Sequence, residues 1–128
     1  MPQIIALFGE AEKGAFKTPH LLKELPQVVD HLGNPPAESE GLFFAVQAIL
    51  YNRKIIYFRV AEEGLSKIDY MSGLKYLQNR EKAPRVNALC LPGVGDAEIL
   101  EASHQVCQIH GGFLITSQKD LYDFLTSR

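Results

Sequence analysis

Apolar positions come in short blocks along the chain, and the spacing within each block changes from one to the next. Ile4-Ile5-Ala6-Leu7-Phe8 is a continuous apolar run that stops at Gly9, which predicts a strand over 3–8. A charged loop follows over 9–19, and Thr18-Pro19 opens a short extended piece, His20-Leu21-Leu22. Pro26 suits the first turn of a short helix to Leu32, with Val28, Val29 and Leu32 inward. Gly33 is placed for a left-handed C-cap, and Pro35-Pro36 prevent continuation.

The block 39–52 reads as a helix with Ser39 as its N-cap. Leu42, Phe43, Phe44, Ala45, Val46, Ala48, Ile49 and Leu50 make it apolar almost all round. Such a helix is buried by the sheet on one side and by something else on the other, for which a neighbouring subunit is one candidate in a domain this small. "KIIYFRVA" over 54–61 is β-branched and aromatic at successive positions, the pattern of a strand buried on both faces. Arg59 interrupts it and calls for a partner.

A polar loop over 62–69 leads to a helix over 70–80, capped by Asp69 or Ser72, with Leu74 and Leu77 inward. "RVNALCL" over 85–91 is a further strand, and Pro92-Gly93-Val94-Gly95 turns the chain. Asp96 caps a helix over 97–109 whose inner face is Ile99, Leu100, Ser103, Val106 and Cys107. Gly111-Gly112 ends it, "FLIT" over 113–116 is the fourth strand, and Ser117-x-x-Asp120 reads as a capping box for a last helix. Strands alternate with helices throughout. This predicts one α/β domain over 1–128, three layers thick, with a mostly parallel sheet of about four strands and helices on its faces.

Composition narrows the function. The chain has 128 residues, 46% of them hydrophobic, enough to bury a core, and its net charge of −2 gives no general footprint for nucleic acid or an anionic membrane. The longest apolar run falls far short of a membrane span, and the N-terminus lacks the regions of a signal peptide. Cys90 and Cys107 sit in apolar periodic segments, as free buried thiols do, so a reduced, cytoplasmic protein is expected.

No candidate chemistry completes a motif. In "LPGVGDAEI" the Gly-x-Gly-Asp spacing lacks a third glycine and a Lys-Ser/Thr, and Asp96 puts negative charge where a phosphate would sit. "LFGEAEKG" places Glu10 and Glu12 between Gly9 and Gly14, which repels an anion. His104, Cys107 and His110 are three apart, but the outer two drift round the helix and lack a further ligand. Arg80, Lys82 and Arg85 form a basic cluster broken by Glu81 and without interleaved aromatics. We expect no enzyme, no metal and no cofactor.

Five stretches taken together resemble the core domain of contractile tail sheath proteins, from myophages, R-type bacteriocins and related injection devices. They are "LFGEAEKGAFKTP", "LPQVVDHLGN", "LFFAVQAILYNRKIIYFRVA", "SGLKYLQNREKAPRVNALCLPGVGD" and "ILEASHQVCQIHGGFLIT", in the family's order over nearly the whole chain. Two departures stand out: Asn52-Arg53-Lys54 where the family usually has Asn-Gly-Gly, and Thr116-Ser117 where it usually has an Asp. The family's subunits carry terminal arms that add strands to their neighbours, so the resemblance implies a reduced form without those arms. It also implies a structural role through protein–protein contacts, with copies of itself, a sheath subunit or a tail tube protein as partner. The alternative is a Rossmann-like domain binding a small molecule or nucleotide at the loops after the strands, through Gly9, Gly93, Gly95, Asp96, Thr116 and Ser117.

Overall fold

A computed structural model describes residues 3–127. In chain order its elements are β1 (Ile4–Gly9), β2 (His20–Leu22), α1 (Leu25–Leu32), α2 (Gly41–Leu50), β3 (Lys54–Arg59), α3 (Lys67–Gln78), β4 (Ala88–Cys90), α4 (Ala97–His110), β5 (Phe113–Ile115) and α5 (Gln118–Thr126). The strands form one sheet in the order β2-β3-β1-β4-β5. β1 runs parallel to β3 (Ile4 opposite Lys54, Gly9 opposite Arg59) and to β4 (Leu7 opposite Cys90), and β4 runs parallel to β5. The fold class is α/β, as the alternation of patterns predicts. The sheet has five strands rather than about four, because the short piece at His20–Leu22 pairs antiparallel with β3.

Successive side chains of a strand point to opposite faces, and the two faces build separate cores. Ile5 and Leu7 of β1, with Ile55 and Tyr57 of β3, pack under α1, α2 and α5. Ala6, Phe8, Ile56 and Phe58 pack under α3 and α4. All four β1 residues are fully buried, which explains why that strand reads as an unbroken apolar run. On the second face Phe8 stacks on Phe58 at 4.7 Å and on Tyr70 of α3 at 5.5 Å. Burial of each such ring stabilises the fold by about 2–3 kcal/mol.

Asp96 caps α4 as expected, its Oδ1 accepting from the Ile99 amide at 3.0 Å, and Ser117 caps α5, its Oγ accepting from the Asp120 amide at 3.2 Å, the Ser117 half of the expected box. Gly111 ends α4 in the left-handed conformation. Other local expectations are corrected. Ser39 does not cap α2; its hydroxyl donates to the Pro36 carbonyl at 2.6 Å and the helix begins two residues later. α3 starts at Lys67, so Asp69 lies inside its first turn, where its carboxylate reaches back to the Ala61 amide at 3.0 Å. Gly33 has positive φ but an extended ψ, outside the left-handed helical well. Leu100 and Cys107 are half-buried, and Val29 is 57% exposed, on the lining of a groove between α1 and α2. Arg59 finds backbone partners: Nη1 donates to the Gly14 carbonyl at 2.7 Å, and the guanidinium lies 4.2 Å over the Phe16 ring. Among the described residues no helix is long and apolar enough to cross a membrane.

Candidate functional site

In a sheet of this kind the chain order reverses beside β1: β3 extends one flank, while β4 and β5 extend the other. The crevice outside the carboxyl ends of the strands at that reversal is where open α/β sheets hold ligands. Here the protein fills it from within. The segment 60–66, after β3, turns back over β1, and the Val60 amide donates to the Gly9 carbonyl at 2.9 Å. This brings the Glu63 carboxylate onto the N-terminus of α2. One oxygen, Oε2, accepts from the Glu10 amide at 2.8 Å and the Gly41 amide at 3.0 Å; the other, Oε1, accepts from the Glu40 amide at 2.8 Å. The Glu10 carboxylate returns the arrangement by accepting from the Glu63 amide at 2.9 Å.

Free amides at a helix N-terminus favour an anion, and a carboxylate supplied by the chain itself meets that demand. The approach requires two glycines. A Cβ on Gly9 would lie 2.6 Å from the Gly41 Cα and collide with the Tyr57 hydroxyl, and one on Gly41 would meet the same atoms of Gly9 and Tyr57. β1 and α2 therefore touch backbone to backbone at the point where Glu63 docks.

The segment also closes over β4. The Gly64 amide donates to the Tyr70 hydroxyl at 2.7 Å, and Gly64, at positive φ, sits so near the Gly93 carbonyl that a Cβ would come within 2.5 Å of it. At the start of α3, Lys67 reaches Glu98 at 3.2 Å and Asp96 at 3.6 Å. The Glu98 hydrogen bond raises the Lys67 pKa. The Ile99 amide, followed by the lysine charge, lowers that of Asp96. The anionic Asp96 thus belongs to the helix cap and this cluster.

Ionisation elsewhere in the region is suppressed. Burial, with the nearby Glu63 charge, pushes the Tyr57 phenol well above its ordinary value, and its hydroxyl donates to the Glu10 carbonyl at 2.8 Å. Burial raises the Tyr70 phenol to about 12. Burial also pushes up the Cys90 thiol and raises that of Cys107 to about 11, so neither is a ready nucleophile at neutral pH.

The positions named from sequence lie along this edge without converging. Gly93 and Gly95 are exposed, with nothing within 4 Å of a Cβ on either. Thr116 is half-buried and Ser117 exposed, its hydroxyl spent on the α5 cap. The loop after β1 folds against α1: the Leu32 carbonyl accepts from the Glu12 and Lys13 amides at 3.0 and 3.2 Å. His104 is exposed while His110 is buried, so that spacing assembles no site. Both His110 ring nitrogens are engaged: Nδ1 accepts from the Val86 amide at 3.0 Å, and Nε2 lies 2.7 Å from the Leu77 carbonyl. Among the described residues, no three His, Cys, Asp or Glu side chains are grouped to hold a metal. Sequence reading missed Glu63 and Gly41; their only trace is a Glu-Glu-Gly stretch after β3 and a glycine opening an otherwise apolar helix.

A second feature is a groove of about 350 Å³ between α1 and α2, lined by Val28, Val29, Pro35, Phe43, Val46 and Leu50 among others. Phe43 is 61% exposed and Leu50 66%. In comparisons with protein families, characterised proteins and solved structures, the chain matches none.

Proposed function

We propose that this chain is a structural assembly protein of the contractile tail sheath type, acting through protein–protein contacts with copies of itself, a sheath subunit or a tail tube protein. The observation that carries the reading is the outward face of α2. Phe43 and Leu50 stand in solvent beside Val29, around an apolar groove. Contiguous exposed apolar surface of this kind marks an interaction site. The collinear likeness of five stretches to sheath cores supports the same reading, and the crevice filled by Glu63 weighs against the nucleotide-binding alternative.

Size-exclusion chromatography with light scattering tests it, on the chain alone and with a contractile tube protein or sheath subunit. The reading expects a complex with one of them or with itself. A strict monomer with no such affinity overturns it. A thermal-shift series with nucleotides and sugar phosphates tests the alternative, because a ligand at 100 Kd adds about 2.7 kcal/mol. The assembly reading expects no shift.

A further inference from the structure

A net charge of −2 conceals a strong separation of charge along the strands. Segments 10–19, 33–40, 59–69 and 92–98 lie at the carboxyl edge of the sheet, where β1, β3 and β4 end. Together they hold nine carboxylates and four basic side chains, a net of −5. Segments 23–24, 51–54 and 79–87 lie at the opposite edge, where β2 ends and β3 and β4 begin. They hold six basic side chains and two carboxylates, a net of +4. At the acidic pole, Glu12, Glu38, Glu40 and Glu62 are exposed; at the basic pole, so are Arg80, Lys82 and Arg85. Among the described residues, none of these seven forms an ion pair within the chain.

The surface also varies in apolar shape. Leu65 and Ile68 protrude at the acidic pole, each 73% exposed. On the flank between β2 and α3, Pro19, Leu21, Ile56, Tyr76 and Pro84 line a hollow of about 150 Å³.

We propose that copies of this chain stack head to tail, the acidic carboxyl pole of one on the basic pole of the next. This rests on the reading that the chain works through protein contacts, and it names a second copy as one partner. Opposite poles on one molecule give a heterologous contact, which repeats along a line unless a rotation closes it. Complementary charge sets the register and speeds the encounter, while Leu65 and Ile68 add apolar area at the contact.

Sedimentation velocity of the full chain tests this. The weight-average sedimentation coefficient rises with concentration at low salt and falls to the monomer value at about 0.5 M salt, where exposed charges are screened. Two double variants alter exposed side chains that form no ion pair among the described residues: Arg80→Glu with Lys82→Glu, and Glu38→Lys with Glu62→Lys. Each alone stays monomeric at low salt. Mixed in equal amounts they associate again, because each restores the charge pairing the other lacks. Wild type that is monomeric at every concentration in low salt overturns the stacking, as does association of either variant alone or a mixture that stays monomeric. If that monomer still binds a sheath or tube protein, the stacking alone has failed. If it binds neither, the assembly reading falls with it.

Discussion

The carboxylate of Glu63 sits 3.0 Å from the amide of Gly41, so the first turn of α2 is capped by a residue 22 positions further along the chain. The same carboxylate holds the Glu10 and Glu40 amides. Removing it leaves two part-buried donors, the Glu10 and Gly41 amides, and the exposed Glu40 amide without their acceptor, and buried groups of this kind each contribute on the order of 1 kcal/mol or more. Glu63→Ala is expected to lower stability by about 2–3 kcal/mol in urea unfolding at neutral pH, and Glu63→Gln by less. Glu62→Ala, next to it and exposed, is expected to stay within about 0.5 kcal/mol. Equal effects at the two positions would contradict this role for Glu63.

Gly9 and Gly41 allow β1 and α2 to meet backbone to backbone. Gly9→Ala and Gly41→Ala each force a methyl into the Tyr57 hydroxyl and the facing glycine. Each is expected to cost about 2–3 kcal/mol, or more if the helix cannot shift. Gly95→Ala has open space and no positive φ, and its stability is expected within about 0.5 kcal/mol of wild type. Urea midpoints compared at constant m-value read all three.

Most of the architecture was legible because burial on both faces leaves a plain mark in sequence. Ile4–Phe8 and Ile55–Phe58 announce themselves as interior strands, and Asp96 and Ser117 as caps. The sequence of β2 reads as an extended piece, but a three-residue pattern carries no pairing information, and its place beside β3 depends on tertiary contacts. The Glu63 plug left little trace. It joins residues 10, 40, 41 and 63, and a carboxylate on a charged loop looks like any solvated one until the fold brings the amides to it. Ser39 failed as a cap for a related reason: its hydroxyl found the nearby Pro36 carbonyl first.

Asp96 gives a pH test. Its pKa is lowered in the folded state, first by the Ile99 amide and then by Lys67, so its charge stabilises the fold above the ordinary carboxylate pKa of about 3.9. That contribution is lost as pH falls below this value and through the lower folded one. Asp96→Asn keeps a capping oxygen and removes the charge. It is expected to be less stable than wild type at pH 7, with the difference shrinking below about pH 4. Urea unfolding of both proteins between these limits measures it, and a difference that grows towards acid would contradict the assignment.

The two thiols differ in a measurable way. Cys90 is fully buried, while Cys107 is half-buried with a pKa raised to about 11. At pH 8 only about one Cys107 in a thousand is thiolate. Labelling of native protein with a thiol reagent is expected to modify Cys107 slowly and Cys90 only after unfolding. Mass spectrometry of partly labelled protein reads the order, and modification of Cys90 first would show that the α2 side of the sheet opens more readily than its packing implies.

On the proposed function, the outward face of α2 meets a protein partner. Replacing Phe43 and Leu50 with Glu removes apolar surface that contributes little to the fold, since both are more than half exposed. The direct measurement is co-sedimentation of wild type and the Phe43→Glu/Leu50→Glu variant with contractile tube protein and with sheath subunits. Wild type is expected to pellet with one of them, and the variant, with an unchanged unfolding midpoint, to remain in the supernatant. Wild type that stays in the supernatant with both and is also monomeric by itself, or a variant that pellets as wild type does, would contradict the claim.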